Sequence, residues 1–443
     1  LAAERLGLPR PASVPEAPEL LDYPALAAMK TATLETLFAA FQARGGDPDF
    51  IRFRGAGGRA LDNHCRFEAL HEASLAQDPN RWAFWTWPEG WRDPASPAVE
   101  RFAQDHADRV AFFAFLQWLA DCQLADAQAT AKHAGMRLGL YRDLAVGVNP
   151  AGSMAWATPG LTVQGLAIGA PPDPLGPEGQ NWGLAPFAPT RLGELGYRPL
   201  LADLEANARH AGAIRIDHVL GFARQFWIPD GAPADQGTYV RFPFDVLARL
   251  CALVSHRHRA VVIGEDLGTV PEGFRDRLRA AGMLSCSVLW FEREGERFRR
   301  PDEYPEPALA SVSTHDLPTV RGFLAGHDVA WRAELGDHDE TTRADAAAHR
   351  AREKAALERA LADAGMGDEA PPVALHRFLA SSRAALVLVQ LEDLAGTLEQ
   401  PNLPGTMDEH PNWRRRLPAP VEDVFASPLA LEILAAMRAH RPR

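Results

Sequence analysis

Short apolar runs alternate with helical segments from residue 137 onwards, and this alternation constrains the fold more than any other feature of the chain. The segment Phe244–Ser255, for example, carries apolar residues at helical spacing between two such runs. Alternating strands and helices predict an α/β fold in which helices cover a parallel sheet. Six runs are candidate strands: Arg137–Tyr141, Ala213–Ile216, Ala260–Ile263, Cys286–Phe291, Ala308–Ser313 and Leu386–Leu391.

Acidic residues follow four of these candidate strands, namely Asp143, Asp217, Glu265 and Asp316. In a TIM-type (β/α)8 barrel the active site forms at the carboxyl ends of the strands, so these side chains are expected to meet at one mouth. A single Asp after a strand is more often a helix N-cap, but four in the same context favour catalysis. Carboxylates that share a pocket can take separate roles as acid and nucleophile, which is the pair that glycoside chemistry uses.

The N-terminal part of the chain has a mainly helical pattern. Residues 31–43 are predicted to form a helix, because their apolar residues fall on one face. Ser96 followed by Pro97 is a typical helix start, and a long helical stretch continues to about His133. Residues 50–95 are expected to be irregular, since they are rich in Trp, Pro and Arg.

Residues 148–200 form a long segment rich in Pro and Gly. We expect a loop there, and a loop of that length in a compact domain is usually functional. The sequence therefore predicts a single catalytic barrel domain over residues 1–443. It would carry a mostly helical insertion at about 20–133 and a loop-rich, substrate-facing insertion at about 148–200.

The acidic balance of the chain narrows the class of ligand. The 443 residues carry a formal net charge of −12, and no basic patch typical of nucleic-acid binding is visible. An acidic surface also repels anionic lipid head groups. A neutral ligand such as a sugar fits this composition, and we expect neither a nucleic-acid partner nor a membrane.

Cysteine usage and hydropathy suggest a cytoplasmic protein. The chain has four cysteines and no Cys-x-x-Cys pair, which favours free thiols in a reducing compartment. No apolar run approaches the length of about 18 residues that a membrane span requires. The first residues also lack the apolar region of a signal peptide.

Three weaker signals each have a simpler explanation. The glycines of Arg54–Arg59 favour a plain turn over a phosphate loop, because the full motif spacing is missing. The histidines of Ser255–Arg259 favour a helix end over a metal site. We therefore expect no metal and no cofactor. Four tryptophans lie close together in the sequence, and such a cluster is more typical of packing in a core than of a strip that stacks on sugars. They are Trp82, Trp85, Trp87 and Trp91.

Longer motifs resemble those of the amylomaltase, or 4-alpha-glucanotransferase, family, which is related to the alpha-amylases. Three of them contain the candidate acids: Arg215–His218, Gly264–Pro271 and Thr314–Thr319. Further similar segments are Gly139–Gly147, Ile168–Asp173, Gly179–Gly183, Phe226–Pro229, Gly237–Val240, Asn402–Thr406 and Pro411–Arg415. The resemblance runs from about residue 20 to the end, with the motifs in the family's order.

The resemblance implies roles for individual residues of a retaining enzyme. Asp217 matches the nucleophile, Glu265 the general acid/base, and Asp316 the third carboxylate, which grips the sugar hydroxyls beside the scissile bond. Further residues match positions that bind the substrate or orient the nucleophile: Arg215, His315, Trp182, Asp173, His218 and Asp143. Trp182 resembles an aromatic residue that stacks on the acceptor glucose.

The spacing of Arg215 and Asp217 agrees with these roles. Residues two apart on a strand point to the same side, so the guanidinium is expected to keep Asp217 ionised and aimed. A retaining mechanism also needs its two carboxyl groups about 5–5.5 Å apart, which neighbouring strand ends can provide.

The implied activity is transfer of alpha-1,4-glucan segments to glucose or another alpha-1,4-glucan. Expected ligands are maltooligosaccharides and glucans derived from starch or glycogen. One alternative is an alpha-amylase-like hydrolase or the transferase half of a debranching enzyme, and another is a non-catalytic glucan-binding fragment. The segments Gly179–Trp182 and Asn402–Thr406 favour the interpretation as an amylomaltase.

The chain departs from the family pattern at its N-terminus. Family members carry a segment before the equivalent of residue 20 that holds the first one or two barrel strands and a Tyr-bearing donor loop. Six candidate strands are visible against the eight of a complete barrel. We therefore expect this chain to be part of a longer protein, with the donor side of its site incomplete.

Overall fold

The computed structural model describes residues 19–172, 178–335 and 340–441. These residues fall into two units, of which the first is Tyr23–Glu265 and the second combines residues 19–22 with the chain from Asp266 onwards.

The first unit contains a parallel and an antiparallel sheet. The strands are β1 (Tyr141–Leu144), β2 (Leu166–Ala170), β3 (Gln180–Leu184), β4 (Ala213–Ile216), β5 (Arg224–Pro229), β6 (Thr238–Arg241) and β7 (Val261–Gly264). The parallel sheet has the order β1-β4-β7, and the antiparallel sheet has the order β3-β2-β5-β6. The helices are α1 (Tyr23–Ala43), α2 (Pro48–Gln77), α3 (Pro97–Asp105), α4 (Ala107–His133), α5 (Ser153–Ala157), α6 (Pro189–Glu194), α7 (Arg198–Ala208) and α8 (Phe244–His258).

Aromatic side chains hold the helical part of the first unit together. Phe41 on α1, Phe50 on α2 and Phe115 on α4 are all buried in one apolar cluster. The ring centroids of Phe41 and Phe115 are 4.9 Å apart, and those of Phe41 and Phe50 are 5.3 Å apart with an edge-to-face geometry. Such aromatic pairs stabilise a core beyond the burial of their area.

The predicted helix start at Ser96 is confirmed. The Ser96 side chain accepts a hydrogen bond from the Val99 N–H at 3.2 Å, and Pro97 occupies the first helical position. The predicted helical stretch to His133 forms two helices, α3 and α4, which meet at His106.

The prediction that residues 50–95 are irregular is wrong, because α2 covers most of them. Three glycines between 55 and 58 suggested a turn, since glycine is a poor helix former. The turn is reduced to a kink at Gly58, which has φ 50° inside the helix. Buried Phe50, Cys65 and Leu70 then pack α2 into the aromatic cluster, so that packing outweighs local propensity.

The prediction of an uninterrupted loop over residues 148–200 is also wrong, because β2, β3, α5, α6 and the start of α7 lie within this segment. β2 and β3 pair antiparallel there, with a register shift between Ile168 and Gly169. The close approach of β3 to β2 explains the glycine at position 169, because a Cβ at Gly169 would lie 2.0 Å from the carbonyl oxygen of Gln180. Pro and Gly in this segment therefore mark bulges and turns between short elements. That the segment faces the substrate stays a prediction.

The second unit has a parallel sheet and a short hairpin. Its strands are β8 (Ser285–Val288), β9 (Arg293–Glu294), β10 (Arg297–Phe298), β11 (Ala308–Ser311) and β12 (Leu386–Leu388). The parallel sheet has the order β12-β11-β8, and β9 and β10 form the hairpin. Its helices are α9 (Phe274–Ala280), α10 (Val320–Ala325), α11 (His327–Glu334), α12 (Glu340–Asp363), α13 (Pro371–Ala380), α14 (Leu391–Ala395), α15 (Val421–Ala426) and α16 (Pro428–His440).

All six predicted parallel strands form, and helices separate most of them as expected. The first is displaced, since it begins at Tyr141, the last residue of its predicted range. Among the residues described, no helix is long and apolar enough to cross a membrane.

A buried ionisable pair, His376 on α13 and Asp393 on α14, lies in the core of the second unit. His376 Nε2 and Asp393 Oδ2 are 3.7 Å apart, and the other Asp393 oxygen accepts the Val320 N–H at 2.8 Å. His376 Nδ1 faces the carbonyl oxygen of Pro372 at 2.7 Å, so this nitrogen carries the proton. Burial lowers the pKa of His376 and raises the pKa of Asp393 to about 7. Burial therefore favours the neutral form of both side chains.

Replacing Asp393 with Asn should remove part of the pH dependence of stability. The Asp393 carboxyl has a pKa of 3.8 when unfolded and about 7 when folded. The folded state thus binds the extra proton between these values, and stability falls as the pH rises through this window. Asp393→Asn cannot ionise and can still accept from Val320. The melting temperature of Asp393→Asn should therefore rise relative to that of the wild type as the pH increases from about pH 5 to pH 8.

The exposed Asp423→Asn is the matched control and should keep the wild-type pH profile. If the melting temperatures of Asp393→Asn and the wild type changed in parallel with pH, the Asp393 carboxyl would titrate like an exposed one, and the prediction would be wrong.

Candidate active site

The candidate site of the first unit lies at the carboxyl ends of β1, β4 and β7. Asp143 on β1 is directly opposite Arg215 on β4 in the parallel register. Backbone hydrogen bonds continue to the first residue after β4 and after β7. The Asp217 N–H donates to the carbonyl oxygen of Leu144 at 3.0 Å, and the Glu265 N–H donates to the carbonyl oxygen of Ile216 at 2.9 Å. Backbone hydrogen bonds therefore fix both acidic residues at the same edge of the sheet.

The guanidinium of Arg215 binds acidic residues from all three strand ends. Its Nη1 is 2.7 Å from Asp217 Oδ1 and 2.8 Å from Asp143 Oδ2, while its Nη2 is 3.9 Å from Glu265 Oε2. The Arg215 side chain is 15% exposed. Burial alone would lower the pKa of Arg215, but the charges of Asp217 and then Asp143 raise it above its usual value. Arg215 is therefore a permanent cation at the centre of the site, and the predicted contact between Arg215 and Asp217 is confirmed.

Glu265 is held by backbone as well as by charge. It is 8% exposed, and its Oε2 accepts the His218 N–H at 2.8 Å. His218 adopts a left-handed conformation with φ 44°, which turns its N–H towards Glu265. One carboxylate oxygen of Glu265 is thereby oriented before any substrate binds.

The His218 side chain is an uncharged group of the site. Burial lowers its pKa to about 4, although the charge of Asp217 opposes this shift. The imidazole is therefore neutral near pH 7, when it can both donate and accept a hydrogen bond. Its ring lies 5.2 Å from that of Trp182, in edge-to-face contact. The structure thus places Trp182 on β3 beside the loop that carries Asp217.

Sequence reasoning missed Asp203 on α7. It lines a cavity of about 110 Å³ together with Asp217 and His218. Burial raises the pKa of Asp203 to about 7, so this carboxyl is largely protonated in mildly acidic solution. No motif contains Asp203, and its position within a helix gave no signal of its place in the fold.

His315 and Asp316 follow β11 in the second unit. His315 Nε2 and Asp316 Oδ2 are 3.1 Å apart. The Asn402 side-chain N–H donates to Asp316 Oδ1 at 2.6 Å, and the Gln400 side-chain N–H donates to the Asp316 carbonyl oxygen at 3.3 Å. Both carboxylate oxygens of Asp316 are therefore oriented by neighbouring side chains.

Trp413 is a further residue that the sequence interpretation did not assign a role. Its ring lies 5.0 Å from that of His315, it is largely exposed, and its φ is 60°. The signal was available, because Asn402 and Trp413 both belong to segments that resemble the family motifs. What the sequence lacked was the fold of the loop, in which the Trp413 N–H donates to the carbonyl oxygen of Pro401 at 2.9 Å.

Four acidic residues were expected to meet, and the structure brings three of them together: Asp143, Asp217 and Glu265. Asp316 lies in the second unit, and its approach to the other three stays a prediction. Asp173, the remaining predicted substrate-binding residue, lies outside the described residues.

Parallel strands that carry clustered carboxylates at their carboxyl ends define an α/β protein of the TIM-barrel type, in which sites form at this edge. The amylomaltase of Corynebacterium glutamicum matches this structure with a TM-score of 0.80 and 31% identity, over 94% of this chain and 60% of that one. The amylomaltase of Streptococcus agalactiae in complex with acarbose shares the fold, with a TM-score of 0.78 and 17% identity over 96% of this chain and 81% of that one. The predicted fold class is therefore confirmed.

Sequence comparison identifies the family. The family model described as 4-alpha-glucanotransferase matches residues 4–422. The chain is 43% identical to the 4-alpha-glucanotransferase of Mycobacterium bovis, over 93% of this chain and 58% of that protein. It is 35% identical to the enzyme of that name from Haemophilus influenzae, over 92% of this chain and 62% of that protein. The chain belongs to the 4-alpha-glucanotransferase family, and it spans about three fifths of the length of these two relatives.

Replacing Arg215 with Met should destabilise the protein in a pH-dependent way. Removing a largely buried cation that pairs with three carboxylates costs about 3 kcal/mol, because the carboxylates are left facing one another. Protonation of a carboxyl relieves this repulsion, so the loss should be smaller at about pH 5 than at pH 8. Urea unfolding at both pH values measures the difference.

Arg191→Met is the matched control, since Arg191 forms an exposed ion pair with Glu194 at 3.0 Å. It should change stability by less than about 1 kcal/mol at either pH. If Arg215→Met cost no more than this control, the central role of the guanidinium would be wrong.

Proposed function

We propose that the protein is a 4-alpha-glucanotransferase that moves alpha-1,4-glucan segments to glucose or another alpha-1,4-glucan by a retaining double displacement. The observation that carries this proposal is the shared guanidinium of Arg215, which holds Asp217 and Glu265 at adjacent strand ends. Retaining glycoside chemistry uses two such carboxyl groups on either side of the scissile bond. Family membership supports the choice of reaction.

In the first step, an Asp217 oxygen attacks the anomeric carbon of the donor while Glu265 gives a proton to the glycosidic oxygen. The glycosidic bond breaks, the shortened glucan leaves, and a covalent glycosyl-enzyme remains on Asp217. Arg215 favours this step because its guanidinium lies 2.7 Å from Asp217 Oδ1 and holds the carboxyl group in place.

In the second step, the 4-hydroxyl of an acceptor glucose attacks the glycosyl-enzyme and gives its proton to Glu265. The bond to Asp217 breaks, and two inversions give net retention at the anomeric carbon. Backbone donation from His218 orients the Glu265 oxygen at 2.8 Å for both proton transfers. Trp182, beside His218, gives the acceptor ring an apolar surface.

The remaining predicted residues bind the sugar. Asp316, oriented by Asn402, accepts hydrogen bonds from sugar hydroxyls, and His315 assists it from 3.1 Å. Asp143 acts through Arg215 and positions the guanidinium. Asp173 contributes from the acceptor side, as the family resemblance implies.

The proposed substrates are maltooligosaccharides and glucans derived from starch or glycogen, and the proposed location is the cytoplasm. The net charge of −12 supports a neutral ligand and disfavours nucleic acid. Product analysis on maltotriose distinguishes this activity from hydrolysis, because a transferase makes longer chains as well as glucose.

Replacing Asp217 with Asn should abolish transfer while leaving the fold intact. The variant keeps the size of the side chain but loses the nucleophile, and such a loss lowers kcat by about a thousandfold or more. Maltotriose disproportionation measures the rate, and the thermal transition checks the fold. The exposed Asp235→Asn in the same unit is the control and should keep wild-type activity. More than about a tenth of the wild-type rate in Asp217→Asn would contradict the assignment.

Replacing Glu265 with Gln should abolish turnover of maltooligosaccharides but not attack on an activated donor. A glycosyl fluoride has a leaving group that needs no protonation, so the first step should proceed and the second should stall. Mass spectrometry should then show a covalent glycosyl adduct on Asp217. An adduct on Glu265 in the wild-type protein would reverse the two roles.

A further inference from the structure

The four tryptophans between residues 82 and 91 separate into a packed pair, Trp87 and Trp91, and an exposed pair, Trp82 and Trp85. Trp87 is fully buried and donates from Nε1 to the carbonyl oxygen of Arg81 at 3.1 Å, and Trp91 packs against Phe102 at 5.1 Å. Trp82 and Trp85, by contrast, are 57% and 40% exposed. Packing therefore explains two of the four, as the sequence suggested, and leaves two large aromatic surfaces in solvent.

The exposed pair is held in a fixed arrangement. The rings of Trp82 and Trp85 meet edge to face, with centroids 5.9 Å apart and an angle of 73°. Phe84 supports Trp85 from a further edge contact at 5.2 Å. The short helical turn Phe84–Thr86 lies directly before buried Trp87, which anchors it. A ligand would meet an aromatic surface that is already ordered, which lowers the entropic cost of binding.

Trp82 and Trp85 form one wall of an open cavity of about 510 Å³ within the first unit. Glycines also line this cavity: Gly165, Gly183 and Gly231 have φ values of 77°, 65° and 77°, and nothing lies within 4 Å of a Cβ built at any of them. The cavity therefore has free space where side chains would otherwise project.

The polar groups of this cavity fit a neutral, hydroxyl-rich ligand. Gln164 and Asn181 contribute amides and Asp230 contributes a carboxylate, and no Lys, Arg or His is among its described lining residues. A pyranose ring has apolar C–H faces that pack on aromatic rings and a rim of hydroxyls that bond to amides and carboxylates. An anionic ligand would face Asp230 on a chain of net charge −12.

We propose that Trp82 and Trp85 form a second docking site for an alpha-glucan chain, separate from the candidate active site. β3 lies between the two sites: Asn181 and Gly183 line the cavity, whereas Trp182 between them contacts His218 beside Asp217. Successive residues of a strand point to opposite faces, which accounts for this division.

The docking site extends the proposed function. Its assignment to an alpha-glucan ligand rests on the proposed 4-alpha-glucanotransferase activity. A long glucan held at Trp82 and Trp85 raises the effective concentration of its other segments near the candidate active site. A short oligosaccharide gains nothing from this, because it cannot occupy both sites at once. The site should therefore matter for polymers and not for maltotriose.

The test compares Trp82→Ala/Trp85→Ala with the wild type in two assays. Affinity electrophoresis in gels that contain soluble amylopectin gives the Kd for the polymer, and disproportionation gives the KM and kcat for maltotriose. We expect the Kd to rise at least about fivefold, since each aromatic contact adds a modest free energy of binding. The maltotriose constants should stay within about twofold, and Trp82→Phe/Trp85→Phe should restore most of the amylopectin affinity.

Tyr239→Ala is the matched control, because Tyr239 is an aromatic residue of the same unit with 40% exposure that does not line the cavity. It should leave the amylopectin Kd unchanged. An unchanged Kd in the double variant would overturn the proposal, and so would a parallel rise in the maltotriose KM, which would assign the tryptophans to the catalytic cleft. If the wild type bound amylopectin through these tryptophans but did not turn over maltotriose, the docking site would stand and the proposed function would fail.

Discussion

The arrangement of the candidate site depends on one buried cation. Arg215 lies in the middle of the β1-β4-β7 sheet edge, and its guanidinium lies against Asp143, Asp217 and Glu265 together. Without it, three carboxylates at adjacent strand ends would repel one another, and the parallel register that brings them together would be unfavourable. The contact that stabilises the cluster also orients Asp217, so the stability of the cluster and the position of the proposed nucleophile rest on one interaction.

Local patterns were sufficient to predict the strands and the central contact of the site. A short apolar run is typical of a strand in a parallel sheet, and a strand forms at each of the six predicted places, although β1 begins only at the last residue of its predicted range. The contact of Arg215 with Asp217 follows from their spacing, because alternation along a strand fixes which side chains share a face. Both predictions use information within a few residues of the chain, which is why the sequence could supply them.

Predictions failed where distant packing decides the outcome. α2 forms in spite of three glycines because its far end buries Cys65 and Leu70 against other helices. Asp203 enters the site through the position of α7, and Asn402 reaches Asp316 across 86 residues of chain. No local pattern encodes such contacts, although the family motifs did include Asn402 and Trp413 before their partners were known.

The aromatic segment between residues 82 and 91 shows why composition alone could not separate packing from binding. Trp87 and Trp82 are the same residue type five positions apart, yet one is fully buried and the other is mostly in solvent. Burying Trp87 fixes the turn that presents Trp85, so the core residue gives order to the exposed one. A large aromatic side chain kept rigid in water has unfavourable hydration that neither fold stability nor local propensity explains. A ligand with apolar faces would remove that surface from water, and the glycine-lined cavity opposite leaves room for one.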